Sequence, residues 1–317
     1  MTQGEPDGCV REYWVQAESF LHNLVPNGRD EMTGTRYAPE QTTYWAIGLR
    51  GYTAGWTTPL PANPATGPNT GIPGPILRGR VGDVIRVHFR NNDNHYRFPH
   101  SVHPHGVRYN IESDGSFTAN EPDRPGTVVP FGQSYTYTWE CLPESVGTWV
   151  YHDHSVARDP RPGGHEPVAE VGAMLGMFGI LAVTDASTPE VDREFALFQH
   201  GLTAGQVPGL AVDFEAFNGF SFLGNTPTFT AAVGDRVRWR IATLGDQFRV
   251  FHLHGHRWYD RGVCTDAQTI GPAQGITVEY VEDNPGDWLY HCHLSAHLAG
   301  GMVGRYRVTE SERSGDR

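Results

Sequence analysis

The chain repeats itself, and this internal duplication constrains the fold more than any other feature of the sequence. Residues 81–89 (VGDVIRVHF) match residues 233–241 (VGDRVRWRI), and three further matches follow in the same order. HPHG at His103 matches HLHG at His252, and GTWVYHDH at Gly147 matches GDWLYHCH at Gly286. GMFG at Gly176 matches GMVG at Gly301. Ordered matches in the two halves of a 317-residue chain predict two domains of common origin.

The repeated segments show the alternation of apolar and polar residues that is typical of β-strands. Residues 85–89 alternate in this way, and so do residues 237–241, where Arg238 and Arg240 take polar positions. The pattern predicts strands with one face in the core and one face in water. Further short alternating segments are separated by turns rich in Gly and Pro, so we expect an all-β chain built from two β-sandwiches.

A polar, Pro-containing segment over residues 184–194 is the expected boundary between the halves. We therefore predict domain 1 over residues 1–185, with an N-terminal extension, and domain 2 over residues 186–317. Residues 51–74 are dense in Pro, Gly and Thr, which indicates a long surface loop that serves as a connector.

The charge balance limits the possible partners. Asp and Glu number 36 against 24 cationic residues, all of them Arg, and the net charge of −12 argues against nucleic acid as a partner. No apolar stretch reaches the ~18 residues of a membrane span, so no membrane partner is expected. Residues 1–14 are polar and acidic, unlike a secretion signal. The expected location is the cytoplasm, or outside the cell if a leader has been removed.

Cysteine is scarce in this chain. Four cysteines are too few for a disulfide-stapled fold of this length. Cys141 and Cys264 are compatible with a disulfide or with two buried thiols, and the absence of a visible export signal favours the thiols.

Histidine carries the strongest chemical signal. Four His-x-His pairs are present: His103/His105, His152/His154, His252/His254 and His291/His293. Residues i and i+2 of a strand point to one face, so each pair can present two imidazoles together. One such pair alone is more often an ordinary surface or core feature. Four pairs placed symmetrically in a duplicated chain predict that eight imidazoles surround a multinuclear site for Cu, Zn, Fe or Ni.

The residues around the last pair favour copper. Cys292 lies between His291 and His293, and His297 and Met302 follow at the spacing Cys-x4-His-x4-Met. Thiolate, imidazole and a weak thioether are the ligands of a blue-copper electron-transfer site. An electron accepted at Cys292 has a covalent path of a few bonds to either neighbouring His. Such a connection suits the reduction of O2 by four electrons from one-electron donors.

With these motifs, the chain resembles the multicopper oxidases, and most closely their two-domain, small-laccase-like members. The motifs IPGPI, VGD, HPHG, FHLHGH and WLYHCH, which begin at residues 72, 81, 103, 251 and 288, are also similar to the ceruloplasmin-related branch. The likeness covers roughly residues 70–308. It implies two cupredoxin-like Greek-key sandwiches and a homotrimer, with each trinuclear copper cluster held between domain 1 of one subunit and domain 2 of its neighbour.

The resemblance also implies roles for individual residues. His103 and His252 would hold the type 2 copper, and the other six histidines of the four pairs would hold the type 3 pair. Tyr109 and Asp114 would lie near the cluster as a redox-active tyrosine and a proton relay, and a placed carboxylate can deliver the protons that O2 reduction consumes. An ordinary core Tyr and a turn Asp remain the alternatives.

The type 1 site departs from the family pattern. The family places a second type 1 His three residues before the His-x-His-Gly motif, and this chain has Arg249 there. Arg stays protonated in proteins and cannot ligate copper. Two alternatives remain open: a three-ligand site of Cys292, His297 and Met302 that favours Cu(I), or an empty site in which the Cys292 thiolate pairs with Arg249.

Domain 1 shows the complementary pattern. His100 occupies the position equivalent to Arg249, Met177 matches Met302, and Asp153 replaces the Cys. We favour a vestigial site, and the alternative is an extra mononuclear metal site of His100, Asp153 and His165. In domain 2, His256 is expected to orient a ligand or to pack.

These observations together predict a laccase-like multicopper oxidase. It would couple the one-electron oxidation of diphenols, other phenols, aromatic amines or low-valent metal ions to the reduction of O2 to water. One alternative is a dedicated intracellular biosynthetic oxidase in which electrons enter by a different route. Another is a copper-binding or sequestration protein without turnover. Copper nitrite reductase fits less well, because its blue site belongs to the first domain and its type 2 copper needs only three His.

Overall fold

A computed structural model describes residues 8–310 of the chain as two β-sandwiches that follow one another in the sequence. Residues 1–7 and 311–317, the outer ends of the two predicted domains, lie outside the described residues. The predicted all-β class is confirmed, since three short α-helices accompany the many strands. Within residues 8–310, no helix has the length and apolarity of a membrane-spanning segment.

The first sandwich consists of two four-stranded sheets with the orders β2-β1-β4-β6 and β3-β10-β7-β5, and β8 and β9 form a separate hairpin. Its strands are β1 (Val10–Asn23), β2 (Thr43–Tyr52), β3 (Leu77–Arg80), β4 (Val84–Asn92), β5 (His103–Pro104), β6 (Ser134–Glu140), β7 (Gly147–His152), β8 (Val156–Arg158), β9 (Pro167–Ala169) and β10 (Phe178–Thr184). Its helices are α1 (Pro39–Thr42) and α2 (Val171–Leu175), with 3-10 turns at Ala54–Trp56, Ile111–Ser113 and Pro143–Ser145.

The second sandwich repeats this arrangement, with sheets β12-β11-β14-β19 and β13-β21-β20-β15-β18 and a hairpin of β16 and β17. Its elements are β11 (Arg193–Leu202), β12 (Phe214–Phe217), β13 (Thr228–Ala232), β14 (Arg236–Thr243), β15 (Arg249–Leu253), β16 (Trp258–Asp260), β17 (Val263–Thr265), β18 (Ala267–Ile270), β19 (Gly275–Val281), β20 (Gly286–Cys292), α3 (Ser295–Ala299) and β21 (Val303–Thr309). In both domains, the first strand of one sheet pairs in parallel with a strand much later in the sequence, β1 with β4 and β11 with β14. Such crossovers between sheets are typical of Greek-key sandwiches.

The predicted alternation holds in one repeat and fails in the other. Along β4, the side chains alternate between buried and partly exposed positions, as expected. Along β14, both faces are buried, and Arg238 and Arg240 are only 4% and 2% exposed. Arg240 donates from Nε to Glu194 Oε2 at 2.9 Å and from Nη1 to Thr148 Oγ1 of β7 at 3.2 Å. The expectation of a wet face on β14 is therefore wrong, because that face packs against domain 1 with its charges paired.

The long loop over residues 51–74 also reaches the other domain. The Ala196 N–H on β11 donates to the carbonyl of Ala65 at 2.8 Å, and Asn218 Nδ2 donates to the carbonyl of Thr66 at 3.2 Å. The loop thus holds domain 2 as well as connecting strands of domain 1. In the link between the sandwiches, β10 ends at Thr184 and β11 begins at Arg193. The division of the chain after residue 185 stays a prediction.

Candidate metal centre

The four histidine pairs form two groups, one at an equivalent place in each sandwich. The antiparallel strands β5 and β7 place His103 opposite His152, and β15 and β20 place His252 opposite His291. The second histidine of each pair lies two residues further on and joins the same group. Neighbouring ring centroids are 5.1–5.6 Å apart in domain 1 and 5.0–5.4 Å apart in domain 2. The duplication has therefore preserved two four-imidazole groups with the same geometry.

Backbone carbonyl groups determine which ring nitrogen carries the proton. The Nδ1 atoms of His103 and His252 lie 2.6 and 2.7 Å from the carbonyl oxygens of Asp114 and Asp266. A carbonyl oxygen only accepts, so each Nδ1 is the donor. The lone pair is then on Nε2. Outer partners of this kind commonly orient metal-ligating histidines.

The strand opposite supplies rings of the same tautomer. His152 and His291 each donate from Nδ1 to the carbonyl of the following residue at 2.9 Å. Their Nε2 atoms lie 3.2 and 3.1 Å from the Nε2 atoms of His105 and His254. Because the Nε2 of His152 and of His291 carries a lone pair, it needs a proton or a metal ion in front of it. Convergent neutral imidazoles therefore make this donor set fit copper.

Burial keeps these rings uncharged. It lowers the pKa of His152 to about 3 and that of His105 to about 4, with neighbouring histidines adding to the effect. The pKa values of His103, His254 and His291 are lowered by the same cause. Neutral imidazole is the form that binds a metal ion, so these five histidines need not release protons at neutral pH to do so.

The two groups are separate within one chain. Among residues 8–310, no ring of the first group contacts a ring of the second, and each group forms its own cluster of potential metal ligands. These clusters contain His103, His105 and His152 in domain 1, and His252, His254 and His291 in domain 2. Eight imidazoles around one site therefore require a second copy of the chain.

Tyr109 and Asp114 lie beside the first group, where the family resemblance puts them. The Tyr109 ring is 6.0 Å from that of His103, and Asp114 Oδ1 is 3.5 Å from His103 Nδ1. Burial, together with the Asp114 charge, raises the pKa of Tyr109. Arg124 approaches the Asp114 carboxylate at 3.8 Å, and Ser116 donates a hydrogen bond to it. Tyr109 and Asp114 are thus placed to act on the first histidine group, and their roles stay predictions.

Cys292, His297 and Met302 come together in the core of domain 2. Cys292 and Met302 are fully buried, and Cys292 Sγ lies 3.4 Å from His297 Nδ1. Arg249 lies in the same place, but its partner is Glu215, with Nη2 3.0 Å from Oε2. Burial raises the pKa of Cys292, and the charge of Arg249 opposes this. The ion-pair partner of Arg249 is thus Glu215, and both alternatives for the type 1 site stay predictions.

The equivalent place in domain 1 holds a different ion pair. His100 lies between Asp93 Oδ2 at 3.2 Å and Asp153 Oδ2 at 3.7 Å, and all three side chains are fully buried. Burial opposes a charge on His100, but the two carboxylates overcome this and raise its pKa to about 9. His165 is exposed on a loop. The structure does not bring it to His100, which agrees with a vestigial site.

Hydrogen bonds identify a position that the sequence comparison missed. The Met177 N–H donates to the carbonyl of Gly172 just as the Met302 N–H donates to that of His297, at 2.8 and 3.0 Å. Gly172 therefore stands where His297 stands in domain 2. A Cβ added to Gly172 would lie 2.6 Å from a carboxylate oxygen of Asp153, so a side chain has no room there. The insertion between β7 and α2 hid this equivalence.

His256 supports the loop that carries His254. It donates from Nδ1 to the His254 carbonyl at 2.7 Å and from Nε2 to Glu282 Oε1 at 2.8 Å. With both nitrogens donating, the ring is an imidazolium paired to a buried carboxylate, and this pairing raises the pKa of His256 against the effect of burial. The expectation that His256 orients a ligand or packs agrees with these contacts.

The cysteines other than Cys292 form no disulfide among the described residues. Cys141 is a buried thiol, as expected, and burial raises its pKa to about 12. Cys264 is exposed, so the expectation of a buried thiol is wrong there. It lies on the short β16–β17 hairpin, most of which is exposed.

A cavity of about 220 Å³ lies between the two domains. Its lining includes the acidic residues Glu170, Glu215 and Asp246 together with Arg249, next to apolar residues from α2 and β10. Glu170 Oε1 is 3.3 Å from His154 Nε2, which connects the cavity to the histidine group of domain 1. Acidic groups outnumber cationic ones, so the cavity favours a positively charged ligand. No local sequence pattern pointed to Glu170 or Glu215.

Comparison with known proteins agrees with this geometry. Two family models, both described as multicopper oxidase, match residues 53–184 and residues 202–312. Human "Ferroxidase HEPHL1" is 30% identical over 95% of this chain and 29% of its own length. Mouse "Ceruloplasmin" is 24% identical over 97% of this chain and 33% of its own length. A "Probable nitrite reductase-hydroxylamine oxidoreductase fusion protein" of Kuenenia stuttgartiensis is 31% identical over 76% of this chain and 28% of its own length. The chain thus spans about a third of these relatives or less.

Solved structures share the fold. A crystal structure of a multicopper oxidase superposes with a TM-score of 0.69 at 23% identity, covering 95% of this chain and 89% of the other. The blue copper oxidase of Nitrosomonas europaea gives a TM-score of 0.67 at 21% identity, with 94% and 86% covered. At these identities the likeness concerns the fold alone, and it confirms the predicted pair of cupredoxin-like sandwiches.

Proposed function

The chain belongs to the multicopper oxidases, and we propose that it oxidises a small donor one electron at a time and reduces O2 to water at a trinuclear copper cluster. Four such oxidations supply the electrons that, with four protons, convert one O2 to two H2O. The observation that carries the proposal is the pair of matching four-histidine groups. In each group, Nε2 atoms of imidazole rings converge. Copper bound there would supply the one-electron redox couple.

Different histidines would hold the different copper ions. By the family pattern, His103 and His252 would hold the type 2 copper, and the remaining six histidines of the two groups would hold the type 3 pair. The carbonyls of Asp114 and Asp266 keep the Nδ1 protons of His103 and His252 away from the ions. Each ring therefore presents its lone pair without reorganisation.

Protons for O2 reduction would pass through Asp114. Its carboxylate lies 3.5 Å from His103 Nδ1, and Ser116 and Arg124 hold it in place. Tyr109 lies next to the same histidine and the same carboxylate, where it could lend an electron and a proton together. A carboxylate fixed beside the reacting atoms can deliver protons in this way.

We propose that a homotrimer completes each cluster. Each chain has one four-histidine group per domain, and a cyclic arrangement would bring the domain 1 group of one subunit to the domain 2 group of the next. Large apolar residues are exposed beside both groups. Ile111, 60% exposed, lies between Tyr109 and Asp114, and Leu294, 38% exposed, follows His293.

Among the donor classes, a low-valent metal ion such as Fe(II) is the first candidate. The interdomain cavity is lined by Glu170 and Asp246, which attract cations, and Glu170 contacts His154. Relatives named ferroxidase support the same class. Protonated aromatic amines would also be attracted, whereas neutral diphenols gain nothing from these charges. This observation favours a ferroxidase-like donor over a laccase-like one.

O2 uptake by copper-loaded protein tests the proposal. Fe(II), aromatic amines and phenols are compared under air, with metal autoxidation measured separately. Four Fe(II) oxidised per O2 indicates reduction to water, and a His105→Ala variant of measured copper content serves as the control. Copper-loaded protein that consumes no O2 with any donor would support the copper-binding alternative. Nitrite consumption without O2 would instead favour a reductase.

A further inference from the structure

We infer that the Arg249–Glu215 ion pair fills the position of the type 1 copper, so that Cys292, His297 and Met302 bind no copper in this protein. The inference goes beyond the proposed function and rests on it only in assuming that the histidine groups load copper. A copper-free type 1 position differs from the family pattern, in which the type 1 copper relays electrons to the cluster.

The Arg249 side chain occupies the space that a metal ion would need. It is 2% exposed, and its Nη1 lies 3.4 and 3.3 Å from the two ring nitrogens of His297. The guanidinium therefore sits against the ring whose Nδ1 faces Cys292. A permanent cation at this distance from a copper ion would be repelled strongly in a buried environment.

Glu215 pairs with this cation from β12, which belongs to the other sheet of the sandwich. Its Oε2 is 3.0 Å from Arg249 Nη2. Gly201 on β11 leaves room for the pair, since an added Cβ would lie 3.0 Å from that Nη2 and 3.2 Å from the Glu215 carboxylate. A buried Arg that is paired in this way is costly to displace, because moving it leaves a buried charge without a partner.

His297 and Cys292 have hydrogen-bond partners among protein groups. His297 Nε2 lies 2.7 Å from Gln247 Oε1, which only accepts, so Nε2 carries the proton. The lone pair on Nδ1 is then free to accept from the Cys292 thiol at 3.4 Å. The thiol sulfur in turn accepts from the Val250 N–H at 3.3 Å. Nothing in this arrangement requires a thiolate.

Domain 1 supports the inference independently, because the duplicated position there also holds an organic cation. His100 stands where Arg249 stands, and Asp93 and Asp153 are its counter-ions. Both positions therefore hold a buried ion pair of protein groups. Electrons would then reach the cluster from the interdomain cavity, where Glu170 contacts His154.

Copper analysis and absorption spectra of loaded protein test the inference directly. We expect the wild-type protein to lack the intense sulfur-to-copper absorption band. Cys292→Ser should leave its copper content unchanged. Arg249→His/Glu215→Gln should gain the band and about one further copper per chain, and adding Cys292→Ser to that variant should abolish both. A wild-type band, or loss of a copper in Cys292→Ser, would overturn the inference.

A second measurement on metal-free protein separates this inference from the proposed function. Glu215→Gln leaves the buried guanidinium of Arg249 unpaired. The Tm of this variant should therefore be about 5 °C or more below that of the wild type. Arg249→Met/Glu215→Gln should recover most of this loss, because no charge remains buried. A double variant less stable than Glu215→Gln would show that the pair does not exist. If no variant binds copper, the proposed function fails, while these Tm values still decide on the ion pair.

Discussion

The separation of the two histidine groups predicts that inactive subunits can restore each other. One variant carries His103→Ala and His105→Ala, and the other carries His252→Ala and His254→Ala. Each alone lacks half of every cluster. In a cyclic oligomer mixed at equal amounts, a junction combines an intact domain 1 group with an intact domain 2 group with a probability of about one in four. We therefore expect about a quarter of the wild-type O2 uptake per chain before the mixed oligomers are separated, and about a third in purified mixed trimers, in which one junction of three is intact.

The assay uses co-expression, because folded oligomers need not exchange subunits after mixing. Two different affinity tags purify the mixed oligomers, and the copper content is measured beside O2 uptake. Each variant expressed alone should be inactive and should match the wild type in size by analytical ultracentrifugation. Verified mixed oligomers without activity would refute the reasoning, since a cluster formed within one chain cannot be repaired by another. Full copper loading of a monomeric wild-type protein would refute it as well.

Three further predictions concern stability and ligand positioning. The raised pKa of His100, about 9 against 6.5 when unfolded, means that the unfolded state loses this proton first as pH rises. The free energy of unfolding should then fall by about 3 kcal/mol between pH 6.5 and 9, and His100→Gln should lack this slope in urea titrations. Glu194→Gln, which removes the carboxylate paired with buried Arg240, should lower the free energy of unfolding by about 3 kcal/mol or more; an effect below about 1 kcal/mol would contradict the pairing. Glu282→Gln should weaken copper binding about 10-fold or more through His256, with wild-type protein at the same concentration as the control.

The duplication and the histidine pairs were predictable because they depend on local periodicity. Residues i and i+2 of a strand share a face. Each His-x-His pair begins in a strand and ends one or two residues beyond it, and its two rings still lie together. The order of the matched segments then fixed the same strand neighbours in both halves, as the pairing of His103 with His152 and of His252 with His291 shows. The fold class follows from the same alternation.

The failures of prediction concern partners that are distant in the sequence. Arg238 and Arg240 read as residues of a wet face, because nothing near them reveals that Glu194 and domain 1 cover that face. Glu215 is 34 positions before Arg249, and no spacing rule links the two. Gly172 was missed for another reason, since an inserted loop moved it out of the expected spacing. Ion-pair partners distant in the sequence, and positions shifted by an insertion, thus could not be predicted from a single sequence.

The two histidine groups match between the domains, whereas the two type 1 positions hold different residues. Each histidine group keeps four rings, with Nδ1 bonded to equivalent carbonyls in both domains. Each type 1 position holds a buried cation with acidic partners, but the cation is His100 in one and Arg249 in the other. Different residues thus give both positions a buried positive charge with acidic partners. In the proposed trimer, the cluster histidines of two subunits would have to match each other around one set of ions, whereas a mononuclear site depends on one domain alone.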